Sequence, residues 1–533
     1  MFLCAPQRII LLAALAAPGV ALGQSRAPST GNACDTRDFG AVDDGMTDNT
    51  AAIQTAIEAC ASRGGGTVQI DGGGTYVTGP LHLENHVFLK IVAPTVLKNT
   101  VDHAVYQPAF IGYPFQFAND PSATGIGPSL PGYPEAMISG DGLTDTGIIG
   151  DGTIDGSGAD APPASIDNGQ SWWAMAAAAK SLTDYSQASF QGNSVLAATS
   201  YASTDFPDIP TSNGLPRPWL VEFYNCKDVT VGGVLLTNSP MWNLVLRYDT
   251  NVDVVGLRVL NDPSSANTDG IDPVGSQKLR LSGLAISTGD DNVAIKSGLP
   301  GIPAGSYYKP PYNLPRIPTS DLRVEDSVFG RGHGLSIGSE TVNGVQHIRA
   351  RNIQFLGTDN GFRIKTGRDR GNQIFDICVR DLKMTDVGTP LSLSEYYPTI
   401  PEPTQGDIAQ PEPAATRPYV HDISINTVEA NNPGTVRTQT TGPSLIVGVP
   451  ESPIANLTSG DIAINSAAPV YIRLRNVDGL TCQNVGVTPV SVSTPSQGHV
   501  FDNEGGLQAI EGCDVSPTVI APEGNAGIPQ AGP

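Results

Sequence analysis

One recurrence constrains this chain more than any other feature. "DVTVGGVLLTNSPMWNLVL" starts at Asp228 and "NVDVVGLRVLNDPSSANTDGIDP" at Asn251. "QKLRLSGLAISTGDDNVAI" follows from Gln277, "SDLRVEDSVFGRGHGLSI" from Ser320 and "VQHIRARNIQFLGTDNGFRI" from Val345, with further units from Phe375 and Tyr419. Each unit holds two or three short β-rich runs parted by turn signals. Most starts fall about 23–30 residues apart, with two longer gaps. Such a period means one supersecondary unit per repeat, which buries its apolar face only by stacking on its neighbours. Leucine-rich repeats share the period, but their LxxLxL frame and helical segments are missing. The pattern predicts an all-β parallel β-helix (solenoid). Gly 60, Pro 44 and only 15% charged residues fit many short strands and turns.

The ends read differently. Met1–Arg8 carries one positive charge, Ile9–Leu22 is apolar and Ala21-Leu22-Gly23 offers a cleavage site, so residues 1–23 are expected to be a secretory signal. That run is short for a membrane span. The expected product is a secreted, soluble monomer, periplasmic if the source is a Gram-negative bacterium. Residues 24–513 are expected to form one parallel β-helix domain, and the Pro/Gly-rich tail 514–533 to be poorly ordered. Ile53, Ile57 and Cys60 share one face of a predicted helix that Asp48 or Asn49 caps; it would cover the first coil of the stack. Ala176–Asn213 reads as an inserted loop. Six cysteines follow the signal, and Cys34–Cys60 and Cys482–Cys513 are candidate staples whose pairing spacing alone leaves open. No CxxC or His/Cys cluster suggests a metal, and no cofactor is expected. A net charge of −22 argues against nucleic acid and anionic membranes as partners.

Aligning the units on the strand after each turn builds a column. Ile295, Ile337 and Ile364 take one position, and four residues before them stand Asp291, His333 and Asn360. One coil earlier Asp269 joins them, because Asp269-Gly270-Ile271 matches Asp291-Asn292-Val293. Arg363 and Lys365, two apart on a strand, share a face. Coils stack roughly 4.8 Å apart. Carboxylates one coil apart can therefore approach the separation of about 6.5–9.5 Å that an inverting glycosidase needs to admit a water. Clustered carboxylates also push one pKa up, which keeps a proton available. Each motif has a bland reading: Asp290-Asp291 as a solvated turn, "NTDG" as a turn, "GHG" as a loop, "RIKTGRDRG" as a charged edge. Their joint placement over four consecutive coils outweighs those readings.

With "NTD" at Asn267–Asp269, "GDD" at Gly289–Asp291, "GHG" at Gly332–Gly334 and "RIK" at Arg363–Lys365, in that order, the sequence resembles glycoside hydrolase family 28, the polygalacturonase family. "FGAVDDGMTDNTAAIQTAI", "GTIDGSG", "NSPMWN" and "SLSEYY" extend the resemblance over nearly the whole mature chain. The resemblance implies a right-handed parallel β-helix and inverting hydrolysis of α-1,4-galacturonosyl linkages in pectin. It implies Asp290 as general acid, Asp269 and Asp291 as the pair that activates water, and His333 as support for the acid's protonation. It further implies Arg363 and Lys365 as holders of substrate carboxylates, Asn267 as a positioning residue and Tyr396, with Tyr397 adjoining, as a substrate contact.

Two departures from compact relatives, Ala176–Asn213 and Gly298–Thr319, are candidate cleft walls and favour exo action. Rhamnogalacturonan or xylogalacturonan is an alternative substrate, because Arg363 and Lys365 indicate only an acidic sugar. In other classes stand a non-catalytic polysaccharide-binding β-helix, opposed by the intact Asp269, Asp290, Asp291 and His333, and a calcium-dependent lyase, whose chemistry the His333 column fits less well.

Overall fold

The computed structural model describes residues 31–106, 135–180, 217–298, 317–368, 371–397, 399–402, 408–409, 417–432, 442–466, 470–490 and 496–517. The expected signal, most of both inserted segments and residues 518–533 lie outside them. Among the described residues, strands form two parallel sheets of 21 and 12 members. Together they make a right-handed parallel β-helix.

One coil shows the plan. Ile271–Val274 lies in the smaller sheet, and the chain turns at Gly275-Ser276. It then crosses the larger sheet as Gln277–Ser282 and Ala285–Ser287 and returns to the smaller sheet at Val293–Ile295. In later coils the two larger-sheet arms fuse, as in Thr319–Phe329, Val345–Leu356 and Gln373–Thr385. These strands bend instead of breaking. Asp326, Asn352 and Asp381 take φ of 54°, 52° and 57° there, a left-handed conformation that Asn and Asp tolerate best among side-chain-bearing residues. Asn352 donates to Asp326 at 2.7 Å, which ties one bend to the next.

Inward residues form files along the stack. Ile271 faces Val293, which faces Leu335, which faces Phe362; Ile295, Ile337, Ile364 and Leu393 form the next file. All are essentially buried, each contributing about 1.5–3 kcal/mol of transfer free energy. Helix Thr50–Ser62 closes the first coils with Ile53, Ala56, Ile57 and Cys60. Its start is held by Asp48, which accepts from the Thr50 N–H at 2.9 Å, and not by the Asn49 side chain.

Cys482 and Cys513 form a disulfide across the last coils. The other expected staple is not formed: Cys34 and Cys60 are buried thiols, and burial, with Cys34 alongside, pushes the Cys60 thiol up to about 12. The first residues of the expected tail are described. Asp514 and Ser516 bond to the Phe501 backbone at 2.9 and 2.8 Å, so 514–517 belong to the stack.

Candidate active site

The smaller sheet's register builds the column. Asp269, Asp291, His333 and Asn360 each stand two residues before the paired positions Ile271, Val293, Leu335 and Phe362. Four adjacent coils thus present carboxylate, carboxylate, imidazole and amide in one file.

Buried polar groups hold the turns that carry it. Asn243 donates to the Asp269 carbonyl at 2.9 Å. Asn292 donates to the carbonyls of Ile286 and Arg331 at 3.1 and 3.0 Å and accepts from the Gly334 N–H at 2.8 Å. The Thr268 hydroxyl accepts from the Gly289 N–H at 3.0 Å. A Cβ at position 289 would lie 2.0 Å from the Ser265 carbonyl oxygen, so only glycine lets these two turns meet. Thr268 of "NTD" and Gly289 of "GDD" are therefore scaffold.

The reactive groups interlock. His333 Nδ1 lies 3.0 Å from Asp290 Oδ1 and its Nε2 lies 3.3 Å from Asp359 Oδ2. Asn267 donates to Asp290 Oδ2 at 3.4 Å. Buried Asp291 takes the Lys365 ammonium at 2.6 Å and the Ser336 hydroxyl at 2.8 Å. Lys365 sits two coils from Asp291 and reaches it across Gly338, its register partner in the coil between. A Cβ on Gly338 would meet the Lys365 carbonyl at 2.0 Å and its Cγ at 3.2 Å.

Lys296 anchors the other flank. Its ammonium lies 2.7 Å from Asp272, 3.4 Å from Asp269 and 4.0 Å from Glu340, and 3.5 Å from the Trp242 ring centroid. Arg363 lies on the strand Asn360–Lys365, opposite Ser336 and Ser392. Tyr396 turns away from this group: it is buried with Val447 and Val449 beneath the Arg368 guanidinium. Tyr397 instead brings its ring to 5.8 Å from the Lys365 ammonium. Of the two, Tyr397 is the one near the Lys365 ammonium.

Electrostatics distribute the protons unevenly. Burial, reinforced by Asp290 and Asp272, pushes the Asp269 carboxyl well above the usual range despite Lys296. Burial likewise raises Asp272 to about 7, against the pull of Lys296. Burial would raise Asp290 too, but His333, Lys365 and Lys296 overcome it and hold that carboxyl below its usual range. Burial acts to lower His333; Asp290 and Asp291 outweigh it and hold the imidazole above its ordinary value. Within the column the carboxyl pushed up is Asp269, by burial first and by its acidic neighbours second, while Asp290 is lowered. The shifts of Asp290 and His333 both favour a proton on the imidazole side of their contact, and the two ring nitrogens face the carboxylates of Asp290 and Asp359. Asp290, Asp291 and His333 come close enough to ligate a cation, yet His333 already engages Asp290 and Lys365 engages Asp291.

Lys296, Asp359 and Ser336 escaped the motif reading. Two of them carried a signal. Lys296 follows Ile295 just as Lys365 follows Ile364, and Ser336 shares a register file with Arg363.

Known proteins are similar to this chain. The model of glycosyl hydrolases family 28 matches residues 208–499. A "Probable polygalacturonase" of Vitis vinifera is 28% identical over 470 residues, 86% of this chain and 80% of its own. An "Endo-polygalacturonase" of Pectobacterium carotovorum subsp. carotovorum is 30% identical over 351 residues, 65% of this chain and 72% of its own. Among solved structures, a hyperthermoactive exopolygalacturonase from Thermotoga maritima superposes with a TM-score of 0.63 at 22% identity, covering 88% of this chain and 94% of its own.

Proposed function

The chain belongs to glycosyl hydrolases family 28, and on that premise we propose that it cleaves α-1,4-galacturonosyl linkages of polygalacturonan with inversion. As a member it is a glycoside hydrolase. The observation that carries the reading is the four-coil file of Asp269, Asp291, His333 and Asn360 beside the Lys365 ammonium. It joins acid–base groups to a cationic flank suited to a uronate carboxylate.

The reaction divides between two groups of residues. His333 and Asp290 share one proton across their 3.0 Å contact. As negative charge develops on the leaving oxygen, that proton passes through Asp290 to it, leaving His333 neutral and Asp290 ionised. A water on the opposite face of the sugar attacks C1. Its proton goes to Asp291, which Lys365 and Ser336 hold in place. Asp269, whose Oδ1 is buried without a hydrogen-bond partner, orients the same water. The C1–O bond to the leaving sugar breaks as the bond to water oxygen forms, so the anomeric centre inverts.

The reading extends to exo action: the two inserted segments supply enough chain to wall off one end of the cleft. It extends to export, on the strength of the N-terminal segment 1–23. Chromatography of early products tests substrate and mode together. Galacturonate or digalacturonate from polygalacturonate is expected, and little release from rhamnogalacturonan. A ladder of oligomers would refute exo action, and preferred release from rhamnogalacturonan would reassign the substrate. Sequencing the N-terminus of protein collected outside the cell tests export; an intact Met1 start retained inside would refute it.

A further inference from the structure

The cleft lies on the outer face of the smaller sheet. Around the corner at Gly275-Ser276, the outer face of the larger sheet carries a second groove of about 740 Å³. It crosses six coils, from Asp228 to Asp376. Five coil spacings make it roughly 24 Å long. We propose that this groove is an accessory, non-catalytic binding site for an acidic polysaccharide chain, and its choice of a polyuronate rests on the reading above.

Two files of residues line it. Arg280, Arg323 and Arg349 occupy one register position on three successive coils. Like charges stacked at coil spacing repel, and the chain relieves this only in part. Arg280 pairs with Asp253 and Glu325, each at 3.2 Å, and Arg349 holds Asp376 through two bonds of 2.7 and 2.8 Å. Exposed Arg323, between them, has no ion-pair partner among the described residues, and neither has exposed Lys278 in the neighbouring file. Two cations without an ion-pair partner thus lie in one groove of a chain of net charge −22, with Asp321 beside them.

The second file, two residues earlier, alternates in character: Lys278, Asp321 and His347 occupy it. Acceptors therefore lie beside the guanidinium file. A densely charged anion such as nucleic acid would meet Asp321, which no cation pairs among the described residues, and be repelled. A uronate polymer carries one carboxylate per sugar for the cations and several hydroxyls for the carboxylates. Its extended chain also advances by about one coil spacing per sugar, so successive sugars would meet equivalent positions. A chain held here would keep the enzyme on its substrate between cleavages, by raising the effective concentration at the cleft.

The test uses the full chain with Asp290→Asn to stop turnover, and polygalacturonate immobilised on beads as probe. Adding Lys278→Ala and Arg323→Ala should weaken retention by about fivefold or more and flatten its salt dependence. In the otherwise wild-type chain the same pair should leave turnover of a short galacturonate oligomer unchanged. Arg323→Lys, which keeps the charge, should restore most of the retention given by Arg323. Equal retention of parent and double variant, or equal retention on a neutral glucan, would overturn the proposal and leave the ladder a structural device. Retention is read without catalysis. A wild-type chain that yields no product from polygalacturonate would therefore refute the hydrolytic reading alone.

Discussion

Asp359→Asn isolates the proton-holding role of His333. Asp359 Oδ2 lies 3.3 Å from His333 Nε2, on the side away from Asp290, and both side chains are mostly shielded from solvent. Asparagine keeps the size and removes the charge. At an effective dielectric of about 20, a unit charge at 3.3 Å is worth roughly 5 kcal/mol. If water and relaxation cut that to a third, about 1.7 kcal/mol remains, more than a tenfold change in the protonation equilibrium. The sign follows from the site. Asp290 and Asp291, against burial, hold His333 above its ordinary value, so the charged form survives to higher pH. Removing a further negative charge lets the proton leave at lower pH. Initial rates of reducing-end release across pH should show kcat/KM falling about tenfold or more on the alkaline side, with the acidic side little changed and the melting temperature retained. An unmoved alkaline limb, or an equal loss at every pH, would refute the reasoning.

Asp290→Asn should reduce kcat by about 10²–10⁴-fold with the melting temperature kept; near-normal turnover would remove Asp290 from the proton path. Gly338→Ala should displace Lys365, whose carbonyl a Cβ would meet at 2.0 Å, and raise KM for polygalacturonate more than it lowers the stability; an unchanged KM would show that Lys365 reaches Asp291 another way. Phe362→Ala, in the buried file of the smaller sheet, should cost about 3–5 kcal/mol in denaturant unfolding, and a loss below 1 kcal/mol would contradict the packing described.

Much of the architecture was legible because the coil imposes a strict register. Aligning Ile295, Ile337 and Ile364 placed Asp291, His333 and Asn360 in the file that the strand pairing shows. Asp269 followed from the Asp269–Ile271 match. What stayed hidden depends on side-chain reach and on parity at bends. Lys365 contacts a carboxylate two coils away because Gly338 leaves the space, and no single repeat displays that. Asp359 adjoins the column position Asn360 but turns its carboxylate to His333. Tyr396 and Tyr397 could not be told apart, since a strand's end decides which of two neighbours faces the cleft. Spacing also could not rank the carboxyls: His333, Lys365 and Lys296 lower Asp290 against burial, whereas burial raises Asp269. The free Cys34 and Cys60 thiols show the same limit, because proximity in sequence order does not make a bond.

The most direct test of the account is the anomeric configuration of the first product, followed by proton NMR during early hydrolysis of polygalacturonate. Asp290 with His333 on one side of the bond, and Asp291 with Asp269 around an attacking water on the other, predict a β-configured reducing end that mutarotates only afterwards. A first product in the α configuration, or one with a 4,5-unsaturated terminus, would contradict it.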